Sequence, residues 1–228
     1  MGPGHQSGVT ERSPRSDLDR TDLGRRLGLV VITDEALAEP RGLVHVLGRA
    51  LDGGAPAVQL RSKTSSAREL LDSARRLLPM VRAAGALFIV NDRLDVALAA
   101  GADGVHLGPD DPPVRAVRQA VADDFIIGCS VDTVEDAAQA EADGADYVGV
   151  GTVYRTANKR DAGDVIGLPG LERVVGGVHI PVVGIGGITP ERAPYVARAG
   201  ACGAAVIGAV MGAEDPAGAV RALLSAFD

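Results

Sequence analysis

Short apolar runs alternate with longer segments of helical periodicity from residue 28 to the end of the chain. The runs are rich in Val, Ile and Ala, and most of them end in Gly, Asp or Ser. Near-continuous apolar runs predict strands covered on both faces, which is typical of a parallel sheet. The predicted strands lie within residues 28–34, 56–63, 87–92, 103–109, 125–130, 146–153, 181–188 and 203–210.

The segments between these runs carry apolar residues at the spacing of a helix face. The clearest cover residues 67–85 and 133–144, and another covers residues 216–227 after the last run. Strands and helices that alternate in this way predict a single-domain α/β protein, a (β/α)₈ barrel of the TIM type. An open doubly wound sheet is the alternative, but no Gly-x-Gly-x-x-Gly opens a helix after the first strand.

Three segments of the chain have similar sequences: AGADGVHLG (100–108), ADGADYVGVG (142–151) and AGACGAAVIG (199–208). Each predicts a helix that ends at a glycine in the left-handed conformation, followed at once by a strand. Repetition of one helix-to-strand junction favours a barrel built from similar units.

The first 27 residues differ from the rest because they are polar and rich in Gly, Ser and Pro. We expect residues 1–27 to be a disordered extension and residues 28–228 to form the catalytic barrel. The extension lacks the apolar core of a signal peptide, and no run is long enough to span a bilayer. Cys129 and Cys202 are too far apart for a metal-binding pair, so a reduced, cytoplasmic setting is expected.

The formal net charge is −7. Binding to long nucleic acids depends on clustered Lys and Arg, so a nucleic-acid partner is not expected. A membrane partner is not expected either. A local basic pocket for a small anionic substrate remains compatible with this charge.

Alternating polar residues lie between the middle and the end of the second predicted strand. Val58 and Leu60 suit packing against helices, so Gln59, Arg61 and Lys63 are predicted to point inward at the mouth of the barrel. Active sites of such barrels lie at the carboxyl ends of the strands. Two cations and an amide there would bind an anion with several oxygen atoms. The alternative is a surface edge with solvated charges.

Acidic and amide side chains follow the third and fourth strands. Asn91 and Asp92 end one, and Asp110 and Asp111 end the next. Carboxylates at two neighbouring strand ends predict a Mg²⁺ site, since this ion takes one or two carboxylates together with substrate phosphates. The alternative is that Asp92 or Asp111 caps the following helix.

Ser130 ends the fifth strand, where its hydroxyl can meet a substrate. A serine nucleophile is not expected, because the sequence places no plausible histidine base beside it. His106 is interpreted as an interior histidine with its hydrogen bonds satisfied. Cys129 is interpreted as a small strand residue and not as a thiolate.

A second anion site is predicted across the ends of the last three strands. The loop after the sixth strand carries Thr156, Asn158 and Lys159, whose polar side chains can surround an anion or can simply be solvated. Backbone N–H groups after the seventh and eighth strands form a common phosphate site in these barrels. The residues concerned are Gly186, Gly187, Ile207 and Gly208.

Five blocks of the sequence resemble the thiamine phosphate synthase family, in order, between residues 28 and 225: VQLRSK, IVNDRLDVALAAGADGVHLGPDD, GCS, ADYVGVGTVYRTANK and PVVGIGGITPE. The resemblance implies a (β/α)₈ barrel that joins 4-amino-2-methyl-5-(diphosphooxymethyl)pyrimidine to a thiazole phosphate and releases diphosphate. It also implies a dissociative displacement assisted by Mg²⁺.

The resemblance implies a role for each matching residue. The pyrimidine diphosphate would be held by Gln59, Arg61, Lys63, Asn91 and Lys159, and Mg²⁺ by Asp92 and Asp111. Ser130 would contact the pyrimidine, and the thiazole phosphate would be lined by Thr156, Asn158, Gly187, Ile207 and Gly208. Catalysis would depend on Arg61, Lys63, Ser130 and Lys159. The chain departs from the family at Asn158 and Gly208, where hydroxyl residues are usual.

Two other functions are compatible with this fold. One is a thiazole tautomerase-like isomerase, a family of similar sequence, and the other is a non-catalytic barrel that binds a phosphate ligand. The Asn-Asp pair and the second aspartate favour the synthase. The partners implied are small molecules, while the sequence leaves open a homo-oligomer and a carboxylated form of the thiazole.

Overall fold

Eight parallel strands close into a barrel in the order of the chain, and the last strand pairs with the first. The computed structural model describes residues 20–39, 41–156 and 165–228. The strands are β1 (Leu29–Ile32), β2 (Ala57–Leu60), β3 (Leu87–Asn91), β4 (Gly104–Leu107), β5 (Ile126–Val131), β6 (Tyr147–Val150), β7 (Val182–Ile185) and β8 (Gly203–Val206). The predicted (β/α)₈ barrel is confirmed, and the open sheet is excluded by its closure.

One helix precedes the first strand, and the other helices follow the strands and pack on the outside of the barrel. They are α1 (Arg20–Arg26), α2 (Glu35–Ala38), α3 (Leu43–Asp52), α4 (Ala67–Ala83), α5 (Leu94–Ala100), α6 (Val114–Ala120), α7 (Val134–Ala142), α8 (Gly167–Gly177), α9 (Ala193–Arg198), α10 (Gly208–Met211) and α11 (Pro216–Leu224). The helices predicted within 67–85, 133–144 and 216–227 are α4, α7 and α11.

The ends of the helices follow from local chemistry. Helix α4 begins with a capping box, in which the Ser66 hydroxyl accepts from the Glu69 amide and the Glu69 carboxylate accepts from the Ser66 amide. The three repeated junctions contain Gly101, Gly144 and Gly200 with φ of 72°, 97° and 88°. Side chains rarely adopt this left-handed backbone, so the predicted role of these glycines is confirmed.

The segment before β1 corrects the predicted boundary of the barrel. Helix α1 occupies Arg20–Arg26, and Leu23 and Leu27 are buried against Leu87 and Ile126 at the amino-terminal end of the barrel. The prediction of disorder is therefore wrong for residues 22–27, because two leucines four residues apart form an apolar face in a polar segment. Residues 1–19 lie outside the described part of the chain.

The interior of the barrel holds a few large side chains beside glycines. Tyr147 is 1% exposed, and a Cβ atom built on Gly128 would lie 2.2 Å from its Cζ atom. A Cβ atom on Gly149 would lie 3.1 Å from Cε1 of His106. The phenol and the imidazole therefore fit inside the barrel because the neighbouring strand positions carry no side chain.

The helices of the described residues include none that is long and apolar enough to cross a membrane.

Candidate active site

Two carboxylates from neighbouring loops meet at the carboxyl end of the barrel. Asp92 follows β3, and its Oδ2 atom lies 2.7 Å from Nζ of Lys63. Asp111 follows β4, and its Oδ2 atom accepts a hydrogen bond of 2.7 Å from the Gly108 amide. A Cβ atom on Gly108 would lie 3.4 Å from the Asp111 carboxylate and 3.9 Å from the Asp92 carboxylate. Both carboxylates therefore border one small space that a side chain on Gly108 would fill.

The backbone at Asp92 is held in an uncommon conformation. Its φ is 63°, which makes it the one residue other than glycine with a positive φ in the described ranges. The Arg93 amide donates to the Asn91 carbonyl across it at 2.7 Å, and the Asp92 amide donates to the His106 carbonyl at 2.8 Å. Such a tight turn is strained for a residue with a side chain, and strain of this kind clusters at functional sites.

Neither Asp92 nor Asp111 caps the helix that follows it. The residue before α5 is Arg93 and the residue before α6 is Pro113, and neither helix has a side-chain cap. The alternative in which Asp92 or Asp111 caps a helix is therefore wrong. Asp110, between Gly108 and Asp111, is exposed.

The electrostatics of this pair favour a bound cation. Burial raises the pKa of the Asp111 carboxyl above its usual range, and the nearby Asp92 carboxylate adds to the effect. The Gly108 amide and the Lys63 ammonium lower the same pKa. A divalent ion between two such carboxylates would favour their ionised forms. The described residues contain no group of three or more His, Cys, Asp or Glu that could hold a metal. Two carboxylates alone still suit Mg²⁺, which keeps other positions for phosphate oxygens and water.

The three alternating residues at the end of β2 and just after it, Gln59, Arg61 and Lys63, lie at different depths. Lys63 is half-exposed at the rim beside Asp92. Arg61 is partly buried, and its amide donates to the Thr33 hydroxyl at 2.9 Å. Gln59 is 4% exposed inside the barrel, where its side chain hydrogen-bonds to the Tyr147 hydroxyl. The alternation predicted the inward direction, but the strand ends at Leu60, so only Lys63 reaches the rim pair.

Ser130 has a histidine neighbour that the sequence analysis did not find. Its Oγ atom lies 3.0 Å from Nε2 of His106, and Nδ1 of that imidazole lies 2.9 Å from the Tyr147 hydroxyl. The expectation that no histidine accompanies Ser130 is wrong, because the register of β4 and β5 brings the two strands together. The expectation of a buried histidine with satisfied hydrogen bonds is confirmed, since His106 is 8% exposed.

The cysteines do not act as thiolates. Burial raises the pKa of the Cys129 thiol to about 11 and that of the Cys202 thiol to about 12. Both groups are therefore protonated near neutral pH, as the interpretation of Cys129 as a small strand residue predicts.

The loops after β6 and β7 pack against each other. The Gly187 backbone has a φ of 61°, and a Cβ atom there would lie 2.8 Å from the Tyr154 carbonyl oxygen. Arg192 donates to the Gly187 carbonyl at 2.7 Å, while its guanidinium lies 4.8 Å from the centre of the Tyr154 ring. Thr156, two residues after Tyr154, is partly buried. The predictions for Asn158 and Lys159 fall outside the described residues.

Backbone donors are available at the ends of β7 and β8. Ile207 precedes α10, and its carbonyl accepts hydrogen bonds from the Val210 and Met211 amides. The amides of Gly187 and Gly208 have no acceptor among the described residues. Amides without an acceptor at the ends of two neighbouring strands are suited to an oxyanion. The role of Gly187, Ile207 and Gly208 in phosphate binding stays a prediction.

Comparison with known proteins identifies the family. A family model described as "Thiamine monophosphate synthase" matches residues 29–210. The thiamine-phosphate synthase of Roseiflexus castenholzii is 53% identical over 193 residues, which are 85% of this chain and 85% of that protein. The thiamine-phosphate synthase of Moorella thermoacetica is 49% identical over 195 residues, covering 86% of this chain and 93% of that protein.

A solved structure described as thiamine phosphate pyrophosphorylase from Pyrococcus furiosus has the same fold and a related sequence. The two structures superpose with a TM-score of 0.82 at 46% identity, over 90% of this chain and 97% of the other. The fold and the extent of the sequence match agree with the resemblance seen in the five sequence blocks. This chain belongs to the thiamine monophosphate synthase family and is a transferase of thiamine biosynthesis.

Proposed function

We propose that this enzyme joins the aminopyrimidine methyl diphosphate to the thiazole phosphate, forming thiamine monophosphate and diphosphate, with Mg²⁺ held by Asp92 and Asp111. The observation that carries the proposal is the cluster of Asp92, Asp111 and Lys63 around the space above Gly108. Two carboxylates and an ammonium suit a metal ion together with a polyphosphate.

The charges of the cluster match a diphosphate leaving group. When bound, Mg²⁺ neutralises negative charge on the diphosphate as it departs. Lys63 and Arg61 supply further positive charge from the end of β2, and Lys159 would add to it from the loop after β6. Electrostatic stabilisation of the charge that develops in the transition state usually contributes more to catalysis than any other effect.

The reaction needs little proton transfer. The carbon–oxygen bond to the diphosphate breaks, and the electron-rich aminopyrimidine stabilises the positive charge that develops on its methylene carbon. The thiazole nitrogen then attacks this carbon with its lone pair, so no base has to remove a proton. The amides of Gly187 and Gly208 and the side chain of Thr156 would hold the thiazole phosphate. Positioning of this kind makes capture by the thiazole faster than capture by water.

The test is an assay of diphosphate release with purified protein, both substrates and Mg²⁺. We expect release and thiamine monophosphate formation only when both substrates and Mg²⁺ are present, with loss of activity on addition of a chelator. If the protein instead interconverted thiazole isomers without the pyrimidine, it would be a thiazole tautomerase and the proposal would be wrong. Binding of the substrates without release would leave a phosphate-binding barrel.

Replacement of Lys63 by Met tests the charge at the rim. We expect kcat/KM for the pyrimidine diphosphate to fall about a hundredfold, because one donor to the leaving group is lost. Arg68, an exposed cation in the first turn of α4, offers a matched control, and Arg68→Met should retain full activity. If the two variants were equally active, Lys63 would have no role in binding the diphosphate.

A further inference from the structure

A line of hydrogen-bonded polar side chains crosses the interior of the barrel from β2 to β5. The Gln59 side chain bonds to the Tyr147 hydroxyl, which lies 2.9 Å from Nδ1 of His106. Nε2 of His106 lies 3.0 Å from the Ser130 hydroxyl. Gln59, Tyr147 and His106 are 4%, 1% and 8% exposed, whereas Ser130 is only partly buried. The line therefore begins in the core and ends at the residue that can meet a substrate.

The hydrogen bonds of this line have two possible directions, and the tautomer of His106 decides between them. Burial keeps the pKa of Tyr147 far above its usual range, and the hydrogen bond with Gln59 opposes this effect. When the Gln59 amide donates to the phenol oxygen, the neutral phenol donates its one proton to Nδ1 of His106. A neutral imidazole that accepts at Nδ1 carries its proton on Nε2. That proton is donated to Ser130, whose own hydroxyl proton stays available for another partner.

The surrounding backbone holds both rings in place. Gly128 lies against the Tyr147 ring, and a Cβ atom at that position would be 2.5 Å from the phenol oxygen. Gly149 lies against the His106 ring, where a Cβ atom would be 3.1 Å from Cε1. Rings packed this closely against backbone have little room to rotate. The positions of both rings are therefore set before a substrate arrives, as preorganised sites require.

We propose that Tyr147 and His106 are positioning residues that fix the Ser130 hydroxyl as a hydrogen-bond donor toward the pyrimidine substrate. This inference rests on the proposed function. An aminopyrimidine offers acceptors at its ring nitrogens and donors at its amino group. A serine whose hydroxyl proton is free would donate it to a ring nitrogen, so the line would favour the orientation of the ring that presents a ring nitrogen to Ser130.

The first measurement determines which nitrogen of His106 carries the proton, and it needs no substrate. Nitrogen-15 NMR of the histidine side chains, recorded near pH 8 so that imidazoles are neutral, distinguishes protonation at Nε2 from protonation at Nδ1. The chain has 4 histidines, and the signal that disappears in His106→Gln identifies His106. We expect the proton on Nε2 in the unmodified protein. A proton on Nδ1, or on both nitrogens, overturns the proposal, because Nδ1 would then donate to the Tyr147 hydroxyl and could not accept a hydrogen bond from it.

The second measurement tests the consequence for the substrate. In Tyr147→Phe we expect KM for the pyrimidine diphosphate to rise about tenfold, while KM for the thiazole phosphate stays unchanged. His106→Gln retains a donor where Nε2 stood and should keep more activity than His106→Asn, which does not reach Ser130. An unchanged KM for the pyrimidine in folded Tyr147→Phe, or equal effects on both substrates, would refute the role. If diphosphate release fails in every protein, the proposed function fails, while the NMR result still decides the direction of the line.

Discussion

Replacement of Asp92 is expected to lower Mg²⁺-dependent turnover by about a thousandfold. Asp92 and Asp111 border one space, so replacing either residue removes one of the two carboxylates available to the ion. The backbone at Asp92 has a φ of 63°, which Ala tolerates poorly and Asn tolerates well. Asp92→Asn therefore isolates the loss of the carboxylate, while Asp92→Ala adds backbone strain. The measurement is the rate of diphosphate release against Mg²⁺ concentration.

The adjacent loop provides the control for this experiment. Asp110 is an exposed carboxylate that precedes Asp111 by one position, so Asp110→Asn changes the net charge equally. We expect that variant to keep the rate and the Mg²⁺ dependence of the unmodified enzyme. If Asp92→Asn also kept both, Asp92 would have no part in binding the metal.

Substitution of Gly128 by Ala is expected to destabilise the fold by about 3 kcal/mol or more. The added Cβ atom would lie 2.2 Å from Cζ and 2.5 Å from the hydroxyl oxygen of Tyr147. The ring cannot move away cheaply, because it is fully buried among other interior side chains. We therefore expect the midpoint of thermal unfolding to fall by about 10 °C, measured by circular dichroism.

Gly176 offers the matched control because it lies in α8 with no atom near its missing side chain. Gly176→Ala should leave stability unchanged or raise it slightly, since Ala favours helix more than Gly does. Equal unfolding midpoints for the two variants would mean that the barrel interior can rearrange around Tyr147.

Much of the barrel follows from local sequence. The strands are predictable because each one is covered on both faces, which selects a continuous apolar run such as Leu87–Val90. The junction glycines are predictable because a left-handed backbone favours residues without a side chain. Asp92 and Asp111 could be expected to meet, because parallel strands in chain order bring their carboxyl ends to the same rim.

Other features depend on contacts that a linear pattern does not contain. The hydrogen bond between His106 and Ser130 depends on the register of two neighbouring strands, and residues 24 positions apart show no spacing that predicts it. Helix α1 was not predicted because the large apolar side chains of this segment are only Leu23 and the adjacent Leu27, and the rest is mostly polar. The depth of Gln59 depends on where β2 ends, and strand ends are the least predictable feature of a sequence.

The shared space of Gly128 and Tyr147 makes the two positions epistatic. A larger residue at position 128 becomes acceptable only in a background where the aromatic ring has already been shortened. Shortening the ring first empties a volume beside His106 and removes the partner of its Nδ1 atom. We therefore expect each single substitution to lower stability, and the two substitutions made together to cost less than the sum of their separate effects.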